Sequence, residues 1–149
     1  MGEEKTMHLL AQYSDTINAP VEEIWAIIAA FGSESLWMPT CIKSTLEGFG
    51  LGAVRSLVLS PQPDVVIKEK IEAADPINHT IRYSVTRDDL VGVASICEVA
   101  MEVLGGSQTR VRYVAHTDLQ DEEMRRMIQP NLEGIFRGNV EGITSKLVK

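Results

Sequence analysis

Cysteine is scarce in this chain, and so are histidine, aromatic residues and positive charge. The two cysteines, Cys41 and Cys97, cannot form a disulfide framework. They suit a reducing compartment, and a cytoplasmic location is expected. Three histidines, His8, His79 and His116, lie far apart at a terminus, in a turn and on an outer strand face, so no metal site is expected. Lys and Arg total 14 against 21 Asp and Glu, for a net charge of −7. Binding to nucleic-acid phosphates needs basic surface, so such a partner is not expected. No apolar run approaches the length of a membrane-spanning helix. The first residues lack the basic region and apolar block of a signal peptide. Gly2 and Thr6 fit a myristoylation pattern, but Glu3 and Glu4 intervene and no polybasic patch supplies a second anchor, so stable membrane insertion is not expected.

What remains is an ordinary globular composition, 44% hydrophobic and 23% charged over 149 residues, enough for a single domain spanning 1–149 with a full core. Glycines at 48, 50 and 52 suggest a phosphate loop. Such a loop must open a helix, whereas Val54, Leu57, Val58 and Leu59 read as a strand, and no P-loop lysine follows. The glycines therefore predict a tight hairpin, with no nucleotide and no other cofactor implied. Asn78-His79-Thr80 is a sequon in form, read here as a turn leading into a strand.

Residues 9–18 read as a first strand. Ala19-Pro20 stops it and starts a helix carrying Trp25, Ile28 and Ala29, which ends near Phe31-Gly32. Residues 33–38 form a short irregular or helical piece with Trp37. Strands follow at 42–47, 53–60, 64–74, 80–87, 92–104 and 109–118, joined by short turns that imply an antiparallel meander. One long helix then runs from about 121 to 148. Met124, Met127, Ile128, Ile135, Phe136, Ile143 and Leu147 mark its apolar side, Pro130 predicts a kink, and Gly134, Gly138 and Gly142 form a small-residue stripe. That stripe permits close backbone approach or leaves room for a ligand.

Alternation along the strands sorts side chains to two faces. Arg110, Arg112 and His116 fall outside and Tyr113 inside. Val93, Ser95, Cys97, Val99, Met101 and Val103 face inward on the strand before it. Val65, Ile67, Glu69, Ile71 and Ala73 form an inner row in which Glu69 is a lone carboxylate. Arg55, Leu57 and Leu59 point inward on one neighbour, and Ile81, Tyr83 and Val85 on the other. Closing the hairpins about Gln62, Pro76 and Asp89 places Arg55, Glu69, Tyr83 and Ser95 in one layer across four strands. That row has two readings. It is an acid/base site, with Glu69 as proton carrier, Arg55 tuning it and Tyr83 orienting a substrate oxygen. Alternatively, Arg55 and Glu69 are a structural ion pair. Trp37, Leu57, Ile67, Ile81, Cys97, Tyr113, Met127 and Phe136 are expected to line the pocket with Ser95. Cys97 has no histidine on its face to activate it and reads as a small buried hydrophobe. Asp88-Asp89 falls in a solvated turn placed to gate the cavity mouth.

The order of elements is that of a helix-grip fold, and local sequences agree. Asn18-Ala-Pro-Val-Glu-Glu-Ile-Trp, Ser35-Leu-Trp-Met-Pro, Gly50-Leu-Gly-Ala-Val-Arg, Glu69-Lys-Ile and Ile81-Arg-Tyr-Ser-Val resemble, in order, motifs of the START/polyketide-cyclase superfamily, which includes abscisic acid receptors and pathogenesis-related allergens. The resemblance covers about residues 9 to 148. It implies an α+β fold in which a curved antiparallel sheet of about seven strands grips a long C-terminal helix, with an apolar cavity between them. It implies a hydrophobic small-molecule ligand, in a monomer or homodimer. Three functions are open. One is a cofactor-independent cyclase, dehydratase or isomerase of polyketide, terpenoid or alkaloid type. A second is a carrier of a hydrophobic metabolite, and the third a ligand-gated sensor. Met38, Pro39 and Thr40 stand where the superfamily's hormone receptors carry a pocket lysine, which argues against a carboxylate-hormone receptor.

Overall fold

In the computed structural model, which describes residues 5–148, seven strands form one antiparallel sheet in the order β1-β7-β6-β5-β4-β3-β2. The strands are β1 (His8–Ile17), β2 (Cys41–Glu47), β3 (Val54–Leu59), β4 (Gln62–Asp75), β5 (Thr80–Arg87), β6 (Ser95–Gly105) and β7 (Gln108–Thr117). Two helices, α1 (Val21–Ile28) and the single turn α2 (Glu34–Trp37), join β1 to β2, and α3 (Glu122–Leu147) closes the chain. This is the helix-grip arrangement, and the myristoylation pattern at Gly2 lies outside the described residues.

Local chemistry sets the boundaries. Pro20 sits at the N-cap of α1, with Glu22 and Glu23 in the first turn where the helix dipole favours acids. Asp121 caps α3 by accepting from the backbone N–H groups of Glu123 (3.0 Å) and Met124 (3.2 Å). The β2–β3 hairpin turns through Gly48, Gly50 and Gly52, all at positive φ (80°, 70° and 85°), as their hairpin reading requires.

The inner face of the sheet packs on α1, α2 and α3, and its core includes Ile17, Ile24, Val99, Val111, Phe136 and Ile143. On β7 the alternation runs as expected, with Arg110, Arg112 and His116 exposed and Val111 and Tyr113 buried. On β4 it fails beyond Ile71. A register irregularity between Ile71 and Ala73 interrupts the pleat, and Ala73 is exposed instead of facing inward. Val103, also expected inside, is exposed near the turn that ends β6.

Helix α3 runs continuously through Pro130, which lies on its exposed side. Its buried stripe is shifted from the expected one. Met127 is 68% exposed and Met124 is also exposed, while Ile128, Leu132, Ile135 and Phe136 face the sheet. The glycine stripe divides by position. A Cβ on Gly142 would collide with the carbonyl oxygen of Trp37, and one on Gly134 would meet nothing within 4 Å. Gly142→Ala is therefore expected to destabilise by about 3 kcal/mol, as backbone overpacking does. Gly134→Ala should stabilise by about 0.5–1 kcal/mol through helix propensity. Urea denaturation of the two variants checks the pair of signs.

Candidate functional site

The sheet and α3 enclose a cavity of about 450 Å³. Trp37, Leu57, Ile67, Ser95, Cys97, Tyr113 and Phe136, all expected in the wall, line it together with Arg55, Glu69 and Tyr83. Met127 does not, because it points to solvent. Ile81 is buried in the core outside the cavity wall. Partly exposed Arg87, Leu90, Val93, Leu119 and Ile128 lie in the outer wall. There Arg87 donates to Asp89 (2.9 and 2.8 Å) and Gln62 (2.9 Å), tying the β5–β6 loop to the start of β4.

Arg55 and Glu69 pair directly across β3 and β4, as the hairpin about Gln62 predicts. Their side chains meet, with Arg55 Nε donating to Glu69 Oε1 at 2.6 Å. The next two registers are displaced by two residues. Tyr83 lies opposite Ile71 and Cys97, and the residue opposite both Glu69 and Ser95 is Val85. The cause of the first displacement is the turn after β4. Asp75 Oδ1 accepts from the N–H groups of Ile77 and Asn78, and His79 adopts φ 57°, so the turn centres beyond Pro76. The two displacements cancel for Ser95, which stays in the row through Val85 and donates to Thr117 Oγ1 at 3.0 Å. Tyr83 is the residue that leaves the row, but it remains diagonally beside Arg55, with its ring centroid 4.8 Å from the guanidinium carbon.

Two residues that strand alternation could not reach complete the cluster. Arg55 Nη1 donates to Glu34 Oε2 at 2.9 Å, and Glu34 is 0% exposed. Phe31 lies over the guanidinium at 3.8 Å and meets the Tyr83 ring edge-on at 5.9 Å. Phe31 lies in the α1–α2 connection and Glu34 opens α2. Gly32, at φ 99°, turns the chain so that its own N–H donates to both Glu34 carboxylate oxygens, at 3.0 and 3.2 Å. Ser44 secures the turn from β2, donating to Gly32 O (2.9 Å) and accepting from Ser35 N (3.0 Å). The sequence signal for Glu34 is weak: an acid at the start of a short helical piece has solvent as its usual environment.

The electrostatics follow from burial. Desolvation raises the Glu69 pKa above the ordinary carboxylate value; Arg55 opposes the rise and Glu34 adds to it. Burial lowers the tendency of Arg55 to hold its proton, but Glu69, Tyr83 and Glu34 together outweigh it and the guanidinium stays charged. Burial also drives the Tyr83 phenol well above its normal value and pushes the Cys97 thiol up to about 12, so both remain protonated at neutral pH. Cys97 is thus no thiolate nucleophile. Tyr83 is available as a hydrogen-bond donor.

Residues 9–148 match the family described as polyketide cyclase / dehydrase and lipid transport. The chain belongs to that family. No curated protein sequence matches it. Among solved structures, it resembles the Zhui aromatase/cyclase of a Streptomyces species, at 16% identity and TM-score 0.78 over 95% of this chain and 93% of that one. It also resembles truncated norcoclaurine synthase from Thalictrum flavum, at 14% identity and TM-score 0.79 over 100% and 98% of the two chains. Ara h 8.0201 shares the fold at 16% identity and TM-score 0.72, with 94% and 99% covered. At these identities the likenesses establish the helix-grip fold. Like its family's name, they leave chemistry and transport both open. No helix among the described residues is long and apolar enough to cross a membrane.

The raised Glu69 pKa has a consequence for stability. The folded protein binds this proton more tightly than the unfolded chain does. The resulting stabilisation is complete below the unfolded carboxylate's pKa and is lost as pH rises through the folded one. Glu69→Gln keeps the neutral form at every pH. The stability of the wild type relative to Glu69→Gln should therefore fall from mildly acidic to neutral pH, as read by urea denaturation. A relative stability that climbs with pH would mean that Arg55 outweighs burial.

Proposed function

We propose that this member of the family is a cofactor-independent enzyme that moves a proton on a hydrophobic small molecule, as a cyclase, dehydratase or isomerase does. The observation that carries this reading is the state of Glu69. It is a buried carboxylate in the wall of a mostly apolar cavity, with Oε1 tied to Arg55 and no donor to Oε2 among the described residues.

In this reading the free carboxylate oxygen removes a proton from carbon next to a substrate carbonyl. The electron pair moves to the carbonyl oxygen as an enolate, and Tyr83 donates a hydrogen bond to it. Glu69, now protonated, returns the proton at the same or another position, which isomerises the substrate or completes a ring closure or water loss. Arg55 is a positioning residue. Glu34 and the two aromatic rings hold it, and it occupies one oxygen of Glu69. Removing three charged groups from water costs several kcal/mol per ion before pairing, and apolar residues at such sites commonly hold a fold as well or better. That cost supports a chemical role for the cluster. Two carboxylates already answer the single guanidinium, so the cavity suits a neutral ligand better than a carboxylate.

A carrier is the second reading, supported by the same saturation of Arg55, which leaves the triad able to satisfy itself. Hydrogen–deuterium exchange of α-tetralone, followed by NMR in heavy water, separates the two without knowledge of the natural substrate. The enzyme reading expects accelerated exchange beside the carbonyl. Glu69→Gln should lower that rate by about 10²–10⁴-fold with α-tetralone still bound, and Tyr83→Phe should lower it less. Binding without acceleration by the wild type would support the carrier.

A further inference from the structure

The sheet has two edge strands, and they differ in what covers them. β1 packs along α3. β2 ends the sheet on the other side, and among the described residues no backbone hydrogen bond outside its pairing with β3 reaches residues 42–47. In an antiparallel pair alternate residues turn their N–H and C=O away from the neighbour, so the free side of β2 carries unpaired donors and acceptors. Among the described residues the one side-chain contact to this backbone is from the Cys41 thiol to Lys43 O, at 3.3 Å. A register irregularity between Cys41 and Lys43 leaves residues 43–47 as the regular part of the edge.

Sheet edges are commonly blunted by charge, lysine above all. The charges on this edge are instead arranged to answer each other. Lys43, Thr45 and Glu47 lie opposite Val58, Ser56 and Val54 on the outer face of the sheet, and all three are exposed. Neither Lys43 nor Glu47 forms a salt bridge among the described residues. They stand symmetrically about Thr45. When β2 pairs antiparallel with a second β2 about a two-fold axis at Thr45, each Lys43 faces Glu47 of the other copy. Centring the pair on Ser44 or Leu46 sets lysine against threonine or phenylalanine, and centring it on Lys43 or Glu47 brings like charges face to face. The Thr45 register also carries the tip of the β2–β3 hairpin past the start of the other strand. Phe49 (92% exposed) and Leu51 project from that tip, and exposed Ile42 and Leu36 lie at the strand start and in α2 before it. Five residues of ladder are short of the roughly 800 Å² per partner that a stable interface buries, and these apolar side chains add area at each end.

We propose that β2 is the interface of a homodimer, in which two copies of this chain join edge to edge in an antiparallel ladder centred on Thr45. A Lys43–Glu47 pair lies on each side of the axis, and at each end a Phe49–Leu51 tip sits beside Ile42 and Leu36 of the other copy. The two sheets become one, and the contact closes on itself, so neither β2 edge is left open to further chains. The ladder passes through Ser44, whose hydroxyl secures the Gly32 turn that presents Glu34. The proposal is independent of what the cavity binds or does.

Sedimentation equilibrium with charge reversal tests this, since both charged residues are exposed and lie outside the cavity wall. Lys43→Glu sets glutamate against Glu47 at both ends of the ladder, and Glu47→Lys sets lysine against Lys43. Each should raise the dimer Kd by roughly tenfold or more, because two attractive pairs become two repulsive ones. The double variant Lys43→Glu/Glu47→Lys re-forms both pairs and should restore the wild-type Kd. Circular dichroism checks that each variant is folded. Thr45→Cys supplies a test of register. Its two thiols meet at the axis with Cα atoms about 4.5–5.5 Å apart, within disulfide reach, so mild oxidation should link two chains. Ser56→Cys, one strand further in, should not cross-link. A wild type that stays monomeric at the highest concentrations it tolerates would overturn the proposal. So would a dimer insensitive to both single reversals, a double variant no tighter than the singles, or cross-linking through Ser56→Cys in preference to Thr45→Cys.

Discussion

The site is organised by one buried guanidinium held between two carboxylates. Arg55 reaches from β3 to Glu69 on β4 and to Glu34 on α2, and its faces are covered by Phe31 and Tyr83. A buried arginine with one partner removed leaves a charge uncompensated, which typically costs about 3–5 kcal/mol. The cluster is thus a constraint on the whole first half of the chain. It couples the α1–α2 turn, the β3–β4 hairpin and β5, and it fixes which carboxylate oxygens are occupied. Glu34 has its own backbone donor from Gly32, whereas among the described residues Glu69 depends on Arg55 alone. That asymmetry makes Glu69 the chemically available member.

The architecture around this cluster was largely readable from sequence because strands and turns leave local marks. Alternation in β3 and β4 and the Gln62 hairpin were enough to bring Arg55 opposite Glu69. The order of elements and the ordered motifs pointed to the family that residues 9–148 match. Where reading failed, the cause was geometry with no period. The turn at Asp75 centres beyond Pro76, moving Tyr83 opposite Ile71, and the irregularity after Ile71 ends the inner row before Ala73. Met127 was assigned inward because apolar residues were counted on a broad stripe, but the helix turns Ile128 and Leu132 to the sheet instead.

Glu34 and Asn139, a buried residue of α3, were missed for a different reason. Each is a polar residue in a place where polarity normally means solvent, and only long-range packing buries it. Asn139 was the more detectable, since it lies three residues after Phe136 on a stripe that continues to Ile143. A polar residue interrupting a buried stripe is a sequence-level signal. Glu34 offered less, because its burial depends on Gly32 reversing the chain and on Arg55 arriving from β3. Gly142 is the converse case, since close backbone approach, one of the two readings of the glycine stripe, holds there: the Trp37 backbone packs against the helix.

The central claim is that Arg55, shared with Glu34, leaves Glu69 a proton carrier poised above the ordinary carboxylate range. Carbon-13 NMR titration of the Glu69 carboxyl group tests it most directly, in the wild type and in Glu34→Gln. The account predicts a wild-type pKa above that of an unperturbed glutamate. It also predicts a fall in Glu34→Gln, because the variant removes a neighbouring negative charge and frees Arg55 for Glu69. A wild-type Glu69 that titrates at or below the ordinary value, unmoved by Glu34→Gln, would contradict it.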